Sequence, residues 1–464
     1  MLVSTCRFQE NPSAYSERGI NMELSNFRRT KLSGQNVAYR WSQYNIPSSS
    51  GEANDNLLYN TASGRLIALR RPLQEIMSHY TEPQVLREED HALAELGFLV
   101  PDYQDEAALA RYEVGRSESR KQHLMVLPTE RCNFRCIYCY EDYSKGKMRP
   151  EIQTGLTTWI ANNAHQWDEV SVSWFGGEPL LAYDVVRSLS KEMLTIFKDA
   201  GISYRAHMTT NGYLLTTEWA KNLYSLGIDR YQITLDGVAD VHDSKRPLAG
   251  GKGTYKKIMD NLIALKYSDL EIAVTIRINF DHDNEGNIEE HLGELARQFA
   301  GDKRFAIRFF PIGQWGGSND DSLQPIETAS AVKAILQHAH SAAELGLRSS
   351  VRELFGPVCY AARANSMIVG ADGSLYKCSV AFDNPVNQIG KLRRDGTLEI
   401  DDAKLAMWVE GGRADPTCLQ CQLFPRCQGS SCPLVRIEGS QRPCPPAMGD
   451  FRSYVTELAK EARR

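Results

Sequence analysis

The chain has 464 residues, is 42% hydrophobic and 24% charged, and carries a net charge of -5. That charge leaves no basic footprint, so nucleic acid is not an expected partner, and no run of about 18 apolar residues calls for a membrane-spanning helix. The N-terminal stretch lacks the charged-then-apolar order of a signal peptide, which reads as cytoplasmic; there the 11 cysteines are expected to hold metal or do chemistry rather than pair as disulfides.

Length at roughly 150 residues per domain suggests about three domains. Residues 1–24 are polar and read as weakly ordered. A small module follows over 25–105. "NLLYNTASGRLIALRR" (56–71) has the look of two strands around a turn at Ser63-Gly64. "PLQEIMSHY" (72–80) opens with proline and has helical spacing. "REEDHALAELGFLV" (87–100) reads as a second helix stopped by Gly97, with a closing strand. Hairpin, helices and closing strand together describe a winged-helix-like module. Residues 106–122 are charged and read as a linker. From His123 the pattern alternates: strands at 124–129, 169–177, 203–212, 230–237, 271–280 and 304–312 are separated by helical stretches. Six such repeats over 123–326 imply a parallel α/β sheet. The count is two short of a closed eight-stranded barrel, so the expected fold is an open, partial (β/α)6 TIM-like barrel with its chemistry at the C-terminal strand ends. A connecting helix fills 327–350. In 351–464 helices thin out: hairpins turn at Asp372-Gly373 and Asp395-Gly396, and cysteine-rich loops poor in regular structure call for a metal staple.

The cysteines cluster. Cys6 stands alone, Cys132, Cys136 and Cys139 fall within "PTERCNFRCIYCYED", and seven lie between Cys359 and Cys444. Three thiolates can hold three corners of a four-iron cubane and leave the fourth iron open for a reactant, whereas a structural site closes its coordination. A zinc site completed by a distant ligand is the competing reading of the same three residues. At the end of the second strand, "WFGGEP" (174–179) adds two glycines that let backbone approach a ligand closely, a carboxylate at Glu178 suited to an ammonium group, and a stiffening Pro179.

Cys132-x3-Cys136-x2-Cys139, with Tyr138 before the last cysteine and Gly176-Gly177-Glu178-Pro179 after the second strand, resembles the radical S-adenosylmethionine (SAM) superfamily. The resemblance implies that SAM chelates the open iron through its amino and carboxylate groups. One electron would then cleave it to methionine and a 5′-deoxyadenosyl radical that abstracts hydrogen from an unactivated C–H bond. It further implies that the Gly-Gly-Glu-Pro stretch meets the methionine amino group and that Tyr138 lies by the adenine. Thr210, Asn211 and Gly212, Asp236 and Gly237, Arg277 and Asn279, and Arg246 are similar to the rest of that family's SAM pocket. No catalytic side chain beyond the cluster and SAM site is identifiable; Gln314 and Trp315, after the sixth strand, are candidate pocket residues.

The C-terminal spacing, Cys359-x13-Gly373-x4-Cys378 followed by Cys418-x2-Cys421-x5-Cys427-x4-Cys432 and then Cys444, closely resembles the SPASM extension of radical SAM enzymes, with one loop a residue longer than usual. That resemblance implies two auxiliary clusters, making three [4Fe-4S] clusters in all. Cys418, Cys421, Cys427 and Cys444 would hold the outer one. Cys359, Cys378 and Cys432 would hold the inner one, whose fourth position is left to a substrate thiolate, Cys6, a carboxylate or water. The N-terminal module resembles the recognition element of ribosomal-peptide maturases, which binds a leader peptide by strand addition. The expected function is a peptide maturase that closes a thioether or carbon–carbon bond in a precursor peptide, reduced by a flavodoxin- or ferredoxin-type protein. Two alternatives stand beside it. A sulfatase-maturing, formylglycine-generating enzyme would carry aspartate where this chain has Ser379; a non-catalytic, zinc-stapled peptide carrier would bind zinc and leave SAM intact.

Overall fold

The computed structural model describes residues 4–6, 37–49, 56–69, 71–349, 358–439, 442–445, 448 and 451–463. The stretch 1–24, expected to be weakly ordered, lies outside the described residues apart from β1, Ser4–Cys6. The N-terminal module continues with β2 (Ala38–Trp41), β3 (Asn45–Ser49), β4 (Asn56–Asn60), β5 (Arg65–Leu69), α1 (Leu73–His79), β6 (Gln84–Val85), α2 (His91–Glu95) and β7 (Leu99–Pro101). It holds two sheets, ordered β1-β5-β4-β3 and β6-β2-β7. The expected hairpin is β4–β5. The closing strand β7 pairs with β2 instead, Trp41 opposite Leu99, because four residues at 38–41 are too few to display an alternation in the sequence. Alternate residues of β4 face two cores, as strand pleating requires. Leu58 packs with Ile67, Leu73, Ile76, Tyr80 and Phe98 inside the module, while Leu57 and Tyr59 join the main core.

The stretch expected to be a linker contains a helix, α3 (Glu106–Glu118), capped where the Asp105 carboxylate accepts from the Ala108 N–H. Its charges are not all solvated. Glu106 is buried and accepts from Arg40 Nη1 at 2.8 Å and Ser42 Oγ at 2.5 Å, which docks the helix on the module.

The barrel runs β8 (Lys121–Val126), α4 (Pro150–Asn163), β9 (Glu169–Trp174), α5 (Tyr183–Ala200), β10 (Ser203–Thr210), α6 (Thr217–Tyr224), β11 (Ile228–Thr234), α7 (Ala239–Lys245), α8 (Tyr255–Lys266), β12 (Ala273–Phe280), α9 (Ile288–Phe299), β13 (Phe305–Pro311), α10 (Thr328–Glu344) and β14 (Arg348–Ser349). All six expected strands are present, parallel and in sequential order. The first ends at Val126 rather than 129, since Pro128 has no N–H for a ladder. Leu124 and Val126 face the helices; Met125 and Leu127 face inward with Phe175, Ile368, Tyr360 and Tyr376.

The C-terminal region comprises β15 (Ser366–Val369), β16 (Ser374–Tyr376), β17 (Gln388–Leu392), β18 (Leu398–Ile400), α11 (Asp402–Glu410), α12 (Pro416–Leu419), α13 (Phe424–Cys427), α14 (Pro433–Glu438) and α15 (Phe451–Arg463). Both expected hairpins are there, but they do not form a separate body. β15 pairs parallel with β8, Ile368 opposite Met125, and β14 pairs parallel with β13, so one 11-stranded sheet runs through both regions. The expected scarcity of helices is also corrected. Three of the helices, α12, α13 and α14, are too short, and too interrupted by cysteine or proline, to show a period. In α15, however, Tyr454, Val455, Leu458 and Ala459 are buried at helical spacing, a signal the sequence did carry.

Candidate active site

The loop from β8 to α4 carries Cys132, Cys136 and Cys139, and backbone bonds hold it from both sides. The Met148 N–H donates to Pro128 O at 2.9 Å, and Thr129 bridges Lys147. Opposite, residues 245–249 after α7 form a strap. Ile137 N–H donates to Lys245 O at 3.0 Å, Arg135 N–H to Pro247 O at 2.9 Å, and Ala249 N–H to Asn133 O at 2.8 Å. The strap is itself anchored by a buried ion pair, Lys245 Nζ to Asp281 at 2.8 and 2.9 Å. Burial pushes the Cys132 thiol up to about 12 and Cys136 to about 11, with the neighbouring thiols adding to the first and Arg246 opposing at the second. Bare, these thiols stay protonated at neutral pH; a metal would release their protons.

Gly176 and Gly177 serve the same loop. A Cβ on Gly176 would overlap the Thr129 carbonyl oxygen, and one on Gly177 the Arg131 carbonyl oxygen. The close approach expected toward a ligand is thus made, in this structure, to the backbone that enters the cysteine loop. Glu178 is fully buried. Its carboxylate accepts from the Leu180 N–H at 3.0 Å, from Thr210 Oγ1 at 2.8 Å and from the Asn211 N–H at 2.8 Å, which ties the end of β9 to the end of β10. Both oxygens therefore have protein donors, and the carboxylate that the sequence suggested as an ammonium acceptor also ties the two strands together. Pro179 opens the short turn of helix that follows. Asn211 completes the tie to the loop, donating from Nδ2 to Asn133 Oδ1 at 2.8 Å.

A second network gathers the remaining candidates. The Tyr138 hydroxyl donates to Asp236 and accepts from Arg246 Nη1 at 2.7 Å and Asn279 Nδ2 at 3.0 Å. Asp236 also accepts from the Asn279 N–H at 3.1 Å, and Arg277 Nε donates to Asn279 Oδ1 at 2.7 Å. The Arg277 guanidinium lies 4.0 Å above the Phe310 ring. Burial pushes the Asp236 carboxyl up, against the pull of Arg246. Arg246 Nε is buried without a partner, an open donor beside Cys136. Tyr138, Asp236, Arg246, Arg277 and Asn279 thus meet on one side of the loop; Glu178, Thr210 and Asn211 meet on the other. Gln314 donates to Asp320 O within its own loop and Trp315 is exposed. That loop approaches the site through Gly317, whose Cβ would press on the Cys139 carbonyl oxygen. The sequence reading missed Asn133, Lys245, Asp281 and Asn284, which donates to the Asp236 and Asn279 carbonyls at 2.6 and 3.0 Å. No motif marks them; Asn284 binds backbone carbonyls and the other three make side-chain contacts, all to partners that only folding brings near.

The C-terminal cysteines lie in two groups. Cys418, Cys421, Cys427 and Cys444 line one small hollow together with Arg436 and Arg442. Cys359, Cys378 and Cys432 lie near enough that the charge on Cys359 and Cys432 adds to the effect of burial in pushing Cys378 up to about 12. The Cys359 N–H donates to Ser430 O at 3.1 Å. Tyr360 and Ser379, which directly follow two of these cysteines, are joined by a 2.8 Å hydroxyl–hydroxyl bond. Among the described residues no three His, Cys, Asp or Glu side chains close on a point that one metal ion could occupy. Four thiols around a hollow suit a cluster, whose corners stand further apart than ligands at about 2.3 Å from a single zinc.

The radical SAM superfamily profile matches residues 126–295. Over 35% of its length the chain is 24% identical to the Fe-coproporphyrin III synthase of Methanosarcina barkeri, spanning only 38% of that protein. Over 60% of its length it is 26% identical to a probable GTP 3′,8-cyclase of Sulfurisphaera tokodaii, spanning 87% of it. A solved structure, native anSMEcpe with bound AdoMet and Kp18Cys peptide, superposes with a TM-score of 0.57 at 16% identity, over 74% of this chain and 98% of that one; the fold is shared. No helix among the described residues is long and apolar enough to cross a membrane.

Proposed function

We propose, from the premise that the chain is a radical SAM enzyme with residues 126–295 as its radical SAM domain, that it matures a precursor peptide by hydrogen abstraction and closure of a thioether or carbon–carbon bond. The observation that carries this reading is the division of the C-terminal cysteines into a four-thiol hollow and a three-thiol set on the sheet that continues the barrel. A solved structure of this fold holds a peptide beside AdoMet, which supports a peptide substrate.

Cys132, Cys136 and Cys139 would hold the SAM cluster, which when loaded supplies the electron that cleaves SAM. The chain's own residues do the positioning. Glu178 fixes the ends of β9 and β10, and Gly176-Gly177 seat the loop between them. Asp236 and Arg246 orient the Tyr138 ring by its hydroxyl, with Arg277 and Asn279 alongside, to line the SAM pocket. Cys418, Cys421, Cys427 and Cys444 would hold an outer auxiliary cluster of the SPASM kind. Cys359, Cys378 and Cys432 would hold an inner one, whose open position suits a substrate thiolate. The leader would add as a strand to an open edge of the β6-β2-β7 sheet, and the reductant would be of flavodoxin or ferredoxin type. A formylglycine-generating reaction fits less well, since Ser379 offers no carboxylate and its hydroxyl is bonded to Tyr360.

The test is anaerobic. After reconstitution with iron and sulfide, the protein is given SAM, a reductant and the short peptide encoded beside its gene. A peptide lighter by two hydrogens, with 5′-deoxyadenosine formed alongside, is the expected result. A protein that holds zinc and leaves SAM intact would overturn the proposal.

A further inference from the structure

The outer cysteines sit against the N-terminal module. Cys418 and Leu419 pack on a buried cluster made by Tyr44 of the module, Ala110 of α3 and Phe424 of α13. Directly after Cys421, Gln422 reaches across: its Nε2 donates to Asn45 O at 2.5 Å, and its carbonyl accepts from the Thr61 hydroxyl. Asn45 and Thr61, at the start of β3 and just after β4, are 1% exposed, while Gln422 is half-buried, so these bonds lie at a partly buried seam.

The fourth cysteine leads to the same module from the other side. Beyond Cys444 the chain enters α15, whose Tyr454, Val455 and Leu458 share the main core with Ile46, Leu57 and Tyr59. Ser48 Oγ and Thr456 Oγ1 lie 3.4 Å apart. The two segments that meet the β3–β4 face, 418–427 and α15, are therefore the two that the four cysteines would join. Arg442 and Arg436 bind Asp415 at 2.8 and 3.0 Å, but Arg442 is half exposed, and such a pair contributes little.

We propose that filling the outer cysteine site with its metal cluster clamps the N-terminal module to the barrel, with Gln422 as the positioning residue that transmits it. This rests on the reading that the hollow holds metal. A cluster bonded to Cys418, Cys421, Cys427 and Cys444 closes the loop between 427 and 444, and closing a loop restricts the looser conformations of the chain. The spacing between Gln422 and α15 is then fixed, and the β3–β4 face stays held by both. Peptide recognition by the module, and with it the chemistry of the barrel, becomes dependent on a metal site that lies outside the barrel.

The experiment is hydrogen exchange of the full chain, read over 45–69, in the iron-loaded and chelator-treated protein. Loading is expected to slow exchange there by about tenfold or more while 203–210 of the barrel changes little. Cys444→Ser, at an exposed position, should abolish the difference. Cys378→Ser, in the inner set, should keep it. Gln422→Ala should keep the iron content of the outer site and lose most of the protection, which a merely structural defect in the site would not do. Equal exchange with and without bound iron would overturn the clamp and leave the metal site standing. Absence of iron at the outer cysteines would remove the metal reading and the clamp together.

Discussion

The two cysteine regions are built by opposite means. The 127–149 loop is held by backbone hydrogen bonds to 245–249 and by its own return at 146–148, and Gly176-Gly177 close over it. Its shape is thus a property of the barrel. The outer C-terminal set hangs on the short helices α12 and α13 and on residues just before α15, with Arg436 and Arg442 bound to Asp415 for support. A site that performs chemistry must keep its geometry while ligands come and go, and the barrel provides that. A site that joins segments can leave its geometry to the metal, as small metal-stapled folds do.

Four measurements would break or sharpen this contrast. The largest effect is expected from Cys132→Ala, which should abolish 5′-deoxyadenosine formation; retained SAM cleavage would sink the assignment of the loop. Next is metal removal. Stripping iron should raise amide exchange over 416–438 by about a hundredfold yet leave 128–137 within about tenfold of the loaded protein, and equal loosening of both would erase the contrast. Third, Lys245→Met leaves Asp281 buried without its partner, which should cost about 3–5 kcal/mol. Chemical denaturation measures that loss, and absorbance should show the loop's cluster bound more weakly than the C-terminal ones. The smallest effect concerns the seam between the regions, where His123 on β8 bonds to Ser366 on β15 at 2.9 Å and to Ser173 at 2.7 Å. Burial pushes the His123 imidazole down from 6.5 to about 3. The unfolded chain therefore binds a proton that the folded one refuses, so this contribution is full above pH 6.5 and lost as pH falls toward 3. His123→Gln should flatten the drop in unfolding free energy between pH 7.5 and pH 5, by about 2 kcal/mol; an unchanged drop would place the acid sensitivity elsewhere.

The barrel was legible because its strands repeat. Six apolar runs with helices between them allow little but a parallel sheet, and all six lie where they were expected to within a few residues. The candidate site was legible as residue types: the three-cysteine loop, Glu178, Tyr138, Asp236, Arg246, Arg277 and Asn279 could all be picked out from motifs at strand ends. Their division of labour could not. The tie from Glu178 to Thr210 and Asn211 exists only once the next strand is brought to it. Residues 106–122 read as solvated until Arg40 and Ser42 meet Glu106.

The sequence by itself determined the chemistry available, because cysteine spacing within a loop and the run of strand and helix are local properties. Tertiary structure decided what each part leans on. It set β7 against β2, ran the C-terminal hairpins onto β8, and brought Gln422 to Asn45. Those are pairings between residues up to 377 positions apart. They depend on which surfaces are left to bury once the local elements have formed, and no short stretch of sequence records that.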